Sequence, residues 1–543
     1  MILKNSLIYL NDFFTFLITQ ARQYYLNSRL YNKKISRVTL NSLRYKPSPS
    51  LLDCIIKYNK QKKNINSFLL NDIWENPNIR LKDYKNLHSF FWLFSLDLKS
   101  SKTEVQSIIL RWINKNTDYN ISSWETDILS KRIISWISNS KISYEDSSEE
   151  YKNKFDEIIK KQVNHLINEI ERSEWIDDKM IGCSAIILTG ISYNDENFQI
   201  YGLKLLRKII KHSFDNGGFP KSRNIRQLIF YLKYFVLIRE WLKESQNEIP
   251  EYLNEIIFYL GQSYVLIHKN IELNFLFNGN QITNNSNFNN YLKRLGYNFK
   301  NDSHETGGYT FLKNKKYSLA ADLGAPPEKE FSKDYQSGAL SFEFISNNSK
   351  IICNSGYFQN YKHQLNLISK STACHSSLNI NNSSSISFSK QSSGINKINS
   401  SLKIFNKKIT YNNDYWAFEA SHNGYVKKFG VIHHRKIEFF HDISKLSGTD
   451  MIEKKNNFKP SNFEIRFHLD PEAKVMKTQD GKSIYIGLKN EGWKFTSLNN
   501  KISFETGLYF GNKNKFIENQ NILISGKILE KEILINWDIE RIK

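Results

Sequence analysis

The residues best placed to do chemistry gather at a few points of the 543-residue chain. Asn216-Gly217-Gly218 marks a turn, Pro220 keeps the following residues extended, and Ser222, Arg223 and Asn224 then precede a helical pattern. A guanidinium at Arg223 can grip a carboxylate or sulfate with two parallel hydrogen bonds; a surface ion pair is the competing reading. Ser222 or Asn224 is expected to cap the helix by accepting from its first amides. Four histidines, His433, His434, His441 and His468, fall in VIHHRKIEFFHD and RFHLDP. Imidazoles bind metals, but these sit in strand patterns, and a structural role is expected for all four. Cys54, Cys183, Cys353 and Cys374 form no CxxC pair, so no zinc motif is legible. Cys54 and Cys183 read as small core residues of helices; whether Cys353 and Cys374 meet stays open.

Two kinds of element must position these groups. From about residue 80 to 270 the apolar spacing is helical. Val105, Ile108, Ile109, Trp112 and Ile113 mark one stripe, and Leu129, Ile133, Trp136 and Ile137 a second. Phe155, Ile158, Ile159, Val163, Leu166, Ile167 and Ile170 mark a third. Ser122 and Glu125 fit a capping box opening the second helix. Further helices are expected at about 179–190, 197–212, 224–244 and 251–268, the last started by Pro250. Short connections make successive helices antiparallel neighbours. No fixed-period repeat is present.

From Gly308 onward the period is two. Leu340, Phe342 and Phe344 oppose Ser341 and Glu343, as in a half-buried strand, with a turn at Asn347-Asn348 and a second strand from Ile351. Phe463, Ile465, Phe467 and Leu469 alternate with Glu464, Arg466, His468 and Asp470, and Asp480-Gly481 signals a hairpin before Ile484, Ile486 and Leu488. Many short antiparallel strands argue for a large β-sandwich. The Ser- and Asn-rich run 381–400 reads as a surface loop or ragged hairpin.

The net charge of +22 would attract polyanions, yet lysines are scattered along the whole chain, which suits a solvated surface better than one binding stripe. No nucleic-acid motif is recognisable. The apolar N-terminus, MILKNSLIYLNDFFTFLITQARQYYL, is interrupted by Asn5, Asn11 and Asp12; it makes a poor signal peptide and is too polar to span a membrane. An amphipathic helix and, by default, a cytoplasmic protein are expected.

SGALSFEF, IICNSGYF and STACHSSL within residues 331–381 resemble the C-terminal domain of the heparinase II/III-like family, polysaccharide lyases and lyase-like relatives. Leu87-His88 with Trp92, the run Trp124 to Trp136, NGGFPKSRN and FLFNGN extend the resemblance to roughly residues 80–540. It implies an N-terminal helical extension (1–79), an α/α toroid of helical hairpins (80–300) and a β-sandwich (301–543). It also implies β-elimination on a uronate-containing acidic polysaccharide as the partner substrate, often in the cell envelope.

Such elimination needs a neutralised carboxylate, a base for the C5 proton and an acid for the leaving oxygen. The resemblance places Gln336 where the family has a histidine, and a glutamine is no base near neutral pH. The family tyrosine falls at Gln227, with Tyr231 one turn later. Asn224, Tyr231, Gln336 and His375 are the implied catalytic positions, and Arg223, Tyr335, Asn354 and Tyr357 the substrate-binding ones; Tyr231, Tyr335 and Tyr357 are candidate bases. Some family members hold a structural zinc. Here only His375 of its ligands is kept, Asn354 replacing an aspartate, so no metal or cofactor is expected. A lyase-like protein that binds acidic glycan or acts in envelope assembly without cleavage is the alternative reading.

Overall fold

The computed structural model describes residues 14, 17–37, 41–55, 74, 80–96, 102–268, 273–391, 393–456, 458–497, 500–512 and 515–542. Residues 1–13 of the expected N-terminal helix lie outside these; residues 17–26 are helical. The chain divides into two compact units. One comprises Met1–His212, Phe230–Phe258 and Asn285–Asn298; the other comprises Ser213–Ile229, Tyr259–Asn284 and Phe299–Lys543.

The main helices are α1 (Lys102–Lys115), α2 (Thr126–Ser138), α3 (Glu149–Glu169), α4 (Ile176–Tyr193), α5 (Glu196–Ser213), α6 (Ile225–Glu244) and α7 (Glu251–His268). The stripes expected on α1 and α2 are buried throughout; on the third only Ile167 is half-buried. Helix α4 is buried on every face from Met180 to Tyr193, which makes it the central element of its unit. Gly190 lets it approach α5: a Cβ there would lie 2.5 Å from the backbone nitrogen of Gln199. The capping box is not formed. Glu125 itself is the N-cap residue of α2, without a side-chain cap bond, and its carboxylate pairs instead with Lys85 at 2.6 Å. Phe90, fully buried with φ 55°, packs edge-on against Trp112 and Trp136. The Ser135 hydroxyl holds that bend by donating to the Phe90 carbonyl.

The second unit is antiparallel sheet. Strands β1 (Glu305–Thr306), β2 (Tyr309–Lys313), β3 (Tyr317–Asp322), β4 (Phe342–Ser346) and β5 (Ser349–Ile352) form a meander in that order. Then come β6 (Leu378–Ile380), the small β7 (Phe388–Lys390) and β8 (Asn396–Ile398) hairpin, β9 (Ile404–Tyr411), β10 (Tyr415–His422), β11 (Val431–Phe440), β12 (Lys445–Lys454) and β13 (Asn462–His468). The chain closes with β14 (Lys474–Lys477), β15 (Ser483–Gly487), β16 (Gly492–Thr496), β17 (Ile502–Tyr509), β18 (Ile517–Lys527) and β19 (Glu532–Arg541). An eight-stranded sheet runs β14-β15-β16-β19-β12-β11-β10-β9, and a four-stranded one β17-β18-β13-β6.

Apolar residues from all three larger sheets, among them Phe342, Trp416, Phe467 and Trp537, share one core. Asn347 and Asn348, both at positive φ, make the tight β4–β5 turn. Strand β4 departs from the half-buried expectation. Its Glu343 face is buried too, because Glu343 pairs with Lys350 at 2.9 Å and accepts from the amides of Leu276 and Asn354. Of the four histidines, His433 serves the core: with Arg435 it converges on Asp450, which also accepts from the Trp537 indole. Burial works against the Asp450 charge, but Arg435 and His433 hold its carboxyl well below the usual range.

Candidate functional site

The loop preceding α6 is built by local chemistry. The Asp215 carboxylate accepts from the amides of Gly217 and Phe219, closing the turn that Gly218 completes at φ 72°. Arg223 then takes a left-handed conformation (φ 57°), and Asn224 caps α6 by accepting from the amide of Arg226 at 2.9 Å. Ser222 instead donates to Gln227.

The Arg223 side chain is committed within the second unit. Its Nη2 meets Asp322 Oδ1 at 2.6 Å, Nε donates to the Gly307 carbonyl, and Nη1 donates to those of Gly324 and Ala325. The guanidinium lies over the Tyr309 ring, 4.6 Å from its centre. Glycine makes the seat, since a Cβ at Gly324 would stand 2.5 Å from Nη2. Burial opposes the charge, but facing Asp322 raises the guanidinium pKa overall. The carboxylate expected for Arg223 is therefore an internal one.

Asp322 links this pair onward. Its Oδ2 accepts from Asn278, whose Oδ1 accepts from the Gln336 amide. The Gln336 side chain accepts from Gly279 and donates to the carbonyls of Gly356 and Ser369. It thus has the satisfied bonds of a brace. A second carboxylate, Asp334, collects Asn224 Nδ2, Arg226 Nη2 and the hydroxyls of Tyr357 and Tyr361. Although burial pushes the other way, neighbouring cations led by Lys333 and Arg226 keep the Asp334 carboxyl below its ordinary value. Gly279, at φ 77°, lies between the two halves; a Cβ there would strike Asn224 and Asp334.

His375 and Tyr335 differ from these braces. The His375 Nδ1 faces the Ser371 carbonyl at 2.9 Å, and a carbonyl only accepts. Nδ1 therefore carries the proton and Nε2 a lone pair, for which no protein partner exists among the described residues. Burial pushes the imidazole down to about 4, partly opposed by the Ser371 carbonyl and Asp322, so it is neutral near pH 7. The Tyr335 hydroxyl likewise has no protein partner. Burial first, then Asp322, raises its pKa. A neutral imidazole with an unused lone pair is a proton acceptor, and an unused phenol is a proton donor.

The sequence-derived candidates therefore divide. Arg223, Asn224, Gln336, Tyr357, Tyr335 and His375 belong to one buried polar region of the second unit. Asn354 is tied to Glu343 and to the amide of Ser376. Tyr231 lies in the helical unit, buried and stacked on Phe235. Each of the eight is less than a tenth exposed. Asp322, Asp334, Asn278 and Tyr309 were not singled out by the sequence reading. The available signals were a carboxylate ending the apolar run YSLAAD, one preceding Tyr335, and the FLFNGN turn. Of the two zinc positions that the resemblance offered, Asn354 has both polar atoms bonded within the protein, while His375 turns Nδ1 to a carbonyl. Among the described residues no group of three His, Cys, Asp or Glu side chains could hold a metal.

Residues 300–538 match the family model described as heparinase II/III-like, C-terminal. The resemblance read in the motifs is borne out. A mutant heparan sulfate lyase HepC from Pedobacter heparinus is similar in structure, with a TM-score of 0.70 at 12% identity over 94% of this chain and 87% of that one. A heparinase III gene product gives 0.70 at 13% identity over 96% and 90%, and another heparinase III gives 0.67 at 12% over 94% and 88%. No curated protein matches by sequence alone. These matches show the fold class expected, helical hairpins of an α/α toroid followed by an antiparallel β-sandwich. Among the described residues, no helix is long and apolar enough to cross a membrane.

Proposed function

We propose that this heparinase II/III-like protein is a polysaccharide lyase that cleaves an acidic, uronate-containing chain by β-elimination. The observation carrying this reading is the neutral His375, with an unused Nε2 lone pair in the same domain as the unused Tyr335 hydroxyl. In this reading His375 Nε2 removes the C5 proton, the C4–O bond breaks as the C4–C5 double bond forms, and Tyr335 protonates the leaving oxygen. Arg226, about one-third exposed and oriented by Asp334, supplies charge to the sugar carboxylate. Asn224, Gln336 and Arg223 brace these groups. The heparan sulfate lyases of the same fold make sulfated uronates the first substrates to try.

Burial favours a second reading, in which the domain binds acidic glycan without cleaving it: Arg223 already holds an internal carboxylate, and His375 is 1% exposed. One assay separates the two. The protein is incubated with a panel of uronate polysaccharides and with the same chains carboxyl-reduced, and the ultraviolet absorbance of an unsaturated product is followed. Product from the uronates alone, lost in His375→Ala and Tyr335→Phe, supports the lyase. Retention on immobilised glycan without product supports the binder and refutes the lyase.

A further inference from the structure

The helical unit contains a buried cation with no counter-charge among the described residues. Arg132, on α2, is fully buried, and no carboxylate pairs with it among the described residues. Its Nη1 donates to the carbonyls of His88 and Ser123 at 2.9 Å, its Nε to Gln162 Oε1 at 3.2 Å, and its plane lies 4.1 Å from the centre of the Trp112 ring. Its Nη2 has no protein acceptor among the described residues. An arginine stays protonated in proteins, so burial cannot be relieved by losing the proton.

The neighbours it touches also present unused donors. Gln162 directs its oxygen to Arg132, which leaves its Nε2 hydrogens, and these have no protein acceptor among the described residues. His88 accepts from the Trp112 indole at Nδ1 (3.1 Å), and an indole nitrogen only donates. The His88 Nε2 therefore carries a proton, and it too has no protein acceptor among the described residues. Burial, and then Arg132, pushes this imidazole down to about 3, so it is neutral. Arg132 bonds both the Gln162 side chain and the His88 carbonyl, and each of these three buried side chains keeps a donor without an acceptor among the described residues. Leaving such groups unmatched is costly, and the cost is greatest for the guanidinium. Tyr84, half-buried, stacks on His88 with ring centres 4.1 Å apart.

We propose that Arg132, Gln162 and His88 form a binding site for a small inorganic anion of halide size, with chloride the probe. Such an anion only accepts, matches the donor set, and supplies the charge that Arg132 lacks. The site is distinct from the polar region of the sandwich unit and does not rest on the lyase reading.

The test uses the full-length protein. Because a net charge of +22 gives every salt a screening effect, melting is compared at matched ionic strength in chloride and in a bulky organic sulfonate. The melting temperature is expected to rise with chloride, by several degrees across two decades of concentration, beyond the sulfonate curve. In Arg132→Met the two curves should coincide. Should that variant fail to fold, crystals of the unaltered protein grown in bromide decide: an anomalous peak within hydrogen-bond distance of Arg132 Nη2 is expected. Water alone at that position, or a chloride increment unchanged in Arg132→Met, would overturn the site.

Discussion

At the scale of single residues, the buried carboxylates decide what the site can do. Arg223 reads in the sequence as a grip for a substrate acid, yet Asp322 occupies it. Sequence spacing could not show this, because the partner lies 99 residues away on a different element. Removing one member leaves the other buried and unpaired. Arg223→Met is expected to destabilise the protein by about 3–5 kcal/mol, measured by urea denaturation, and Arg223→Met with Asp322→Asn should recover part of that loss. A double variant as unstable as the single one would mean that Asp322 is stabilised elsewhere. Gln336 lies ahead of β4, and the three satisfied bonds of its side chain are those of a brace.

At the scale of elements, helical and strand periods were legible because each stripe records one buried face. The α1 and α2 stripes were read residue by residue, and Asn347-Asn348 fixed the β4–β5 turn. The start of α2 was not, because Glu125 binds Lys85 rather than the Ser122 end of the box. The Glu343 face of β4 was also missed: alternation signals polarity, and a polar face buried by its own network looks the same as a wet one. Helix packing gives a further expectation. Gly190→Ala places a methyl group against the backbone of α5, where no side chain can yield. A loss of about 1–3 kcal/mol is expected, seen as a lower melting temperature; an unchanged value would show that α4 and α5 can separate at little cost.

At the scale of the whole molecule, the class of fold was legible from the change of period near Gly308, and the domain family from three short motifs. What could not be read was burial, which depends on contacts made across hundreds of residues. Burial also sets the pH response. His88, His165, His268 and His468 are pushed down to about 3 and His375 to about 4, in each case chiefly by desolvation. These values lie below the unfolded value of about 6.5, so the unfolded chain binds more protons in acid. Their contribution is complete above about pH 6.5 and is lost as pH falls towards the folded values. Each histidine adds a slope of about 1.4 kcal/mol per pH unit in that window. Urea denaturation at a series of pH values should show stability dropping steeply from pH 6.5 to 4; a flat profile would mean these imidazoles are already protonated when folded.

The claim that matters most is that His375 acts as a neutral base, and the pH dependence of kcat/KM for unsaturated-product formation tests it most directly. The rate should hold from pH 7 down to about 5 and fall as the imidazole gains its proton near pH 4. An acid limb centred between pH 6 and 7, or an unchanged profile in His375→Ala, would contradict the assignment.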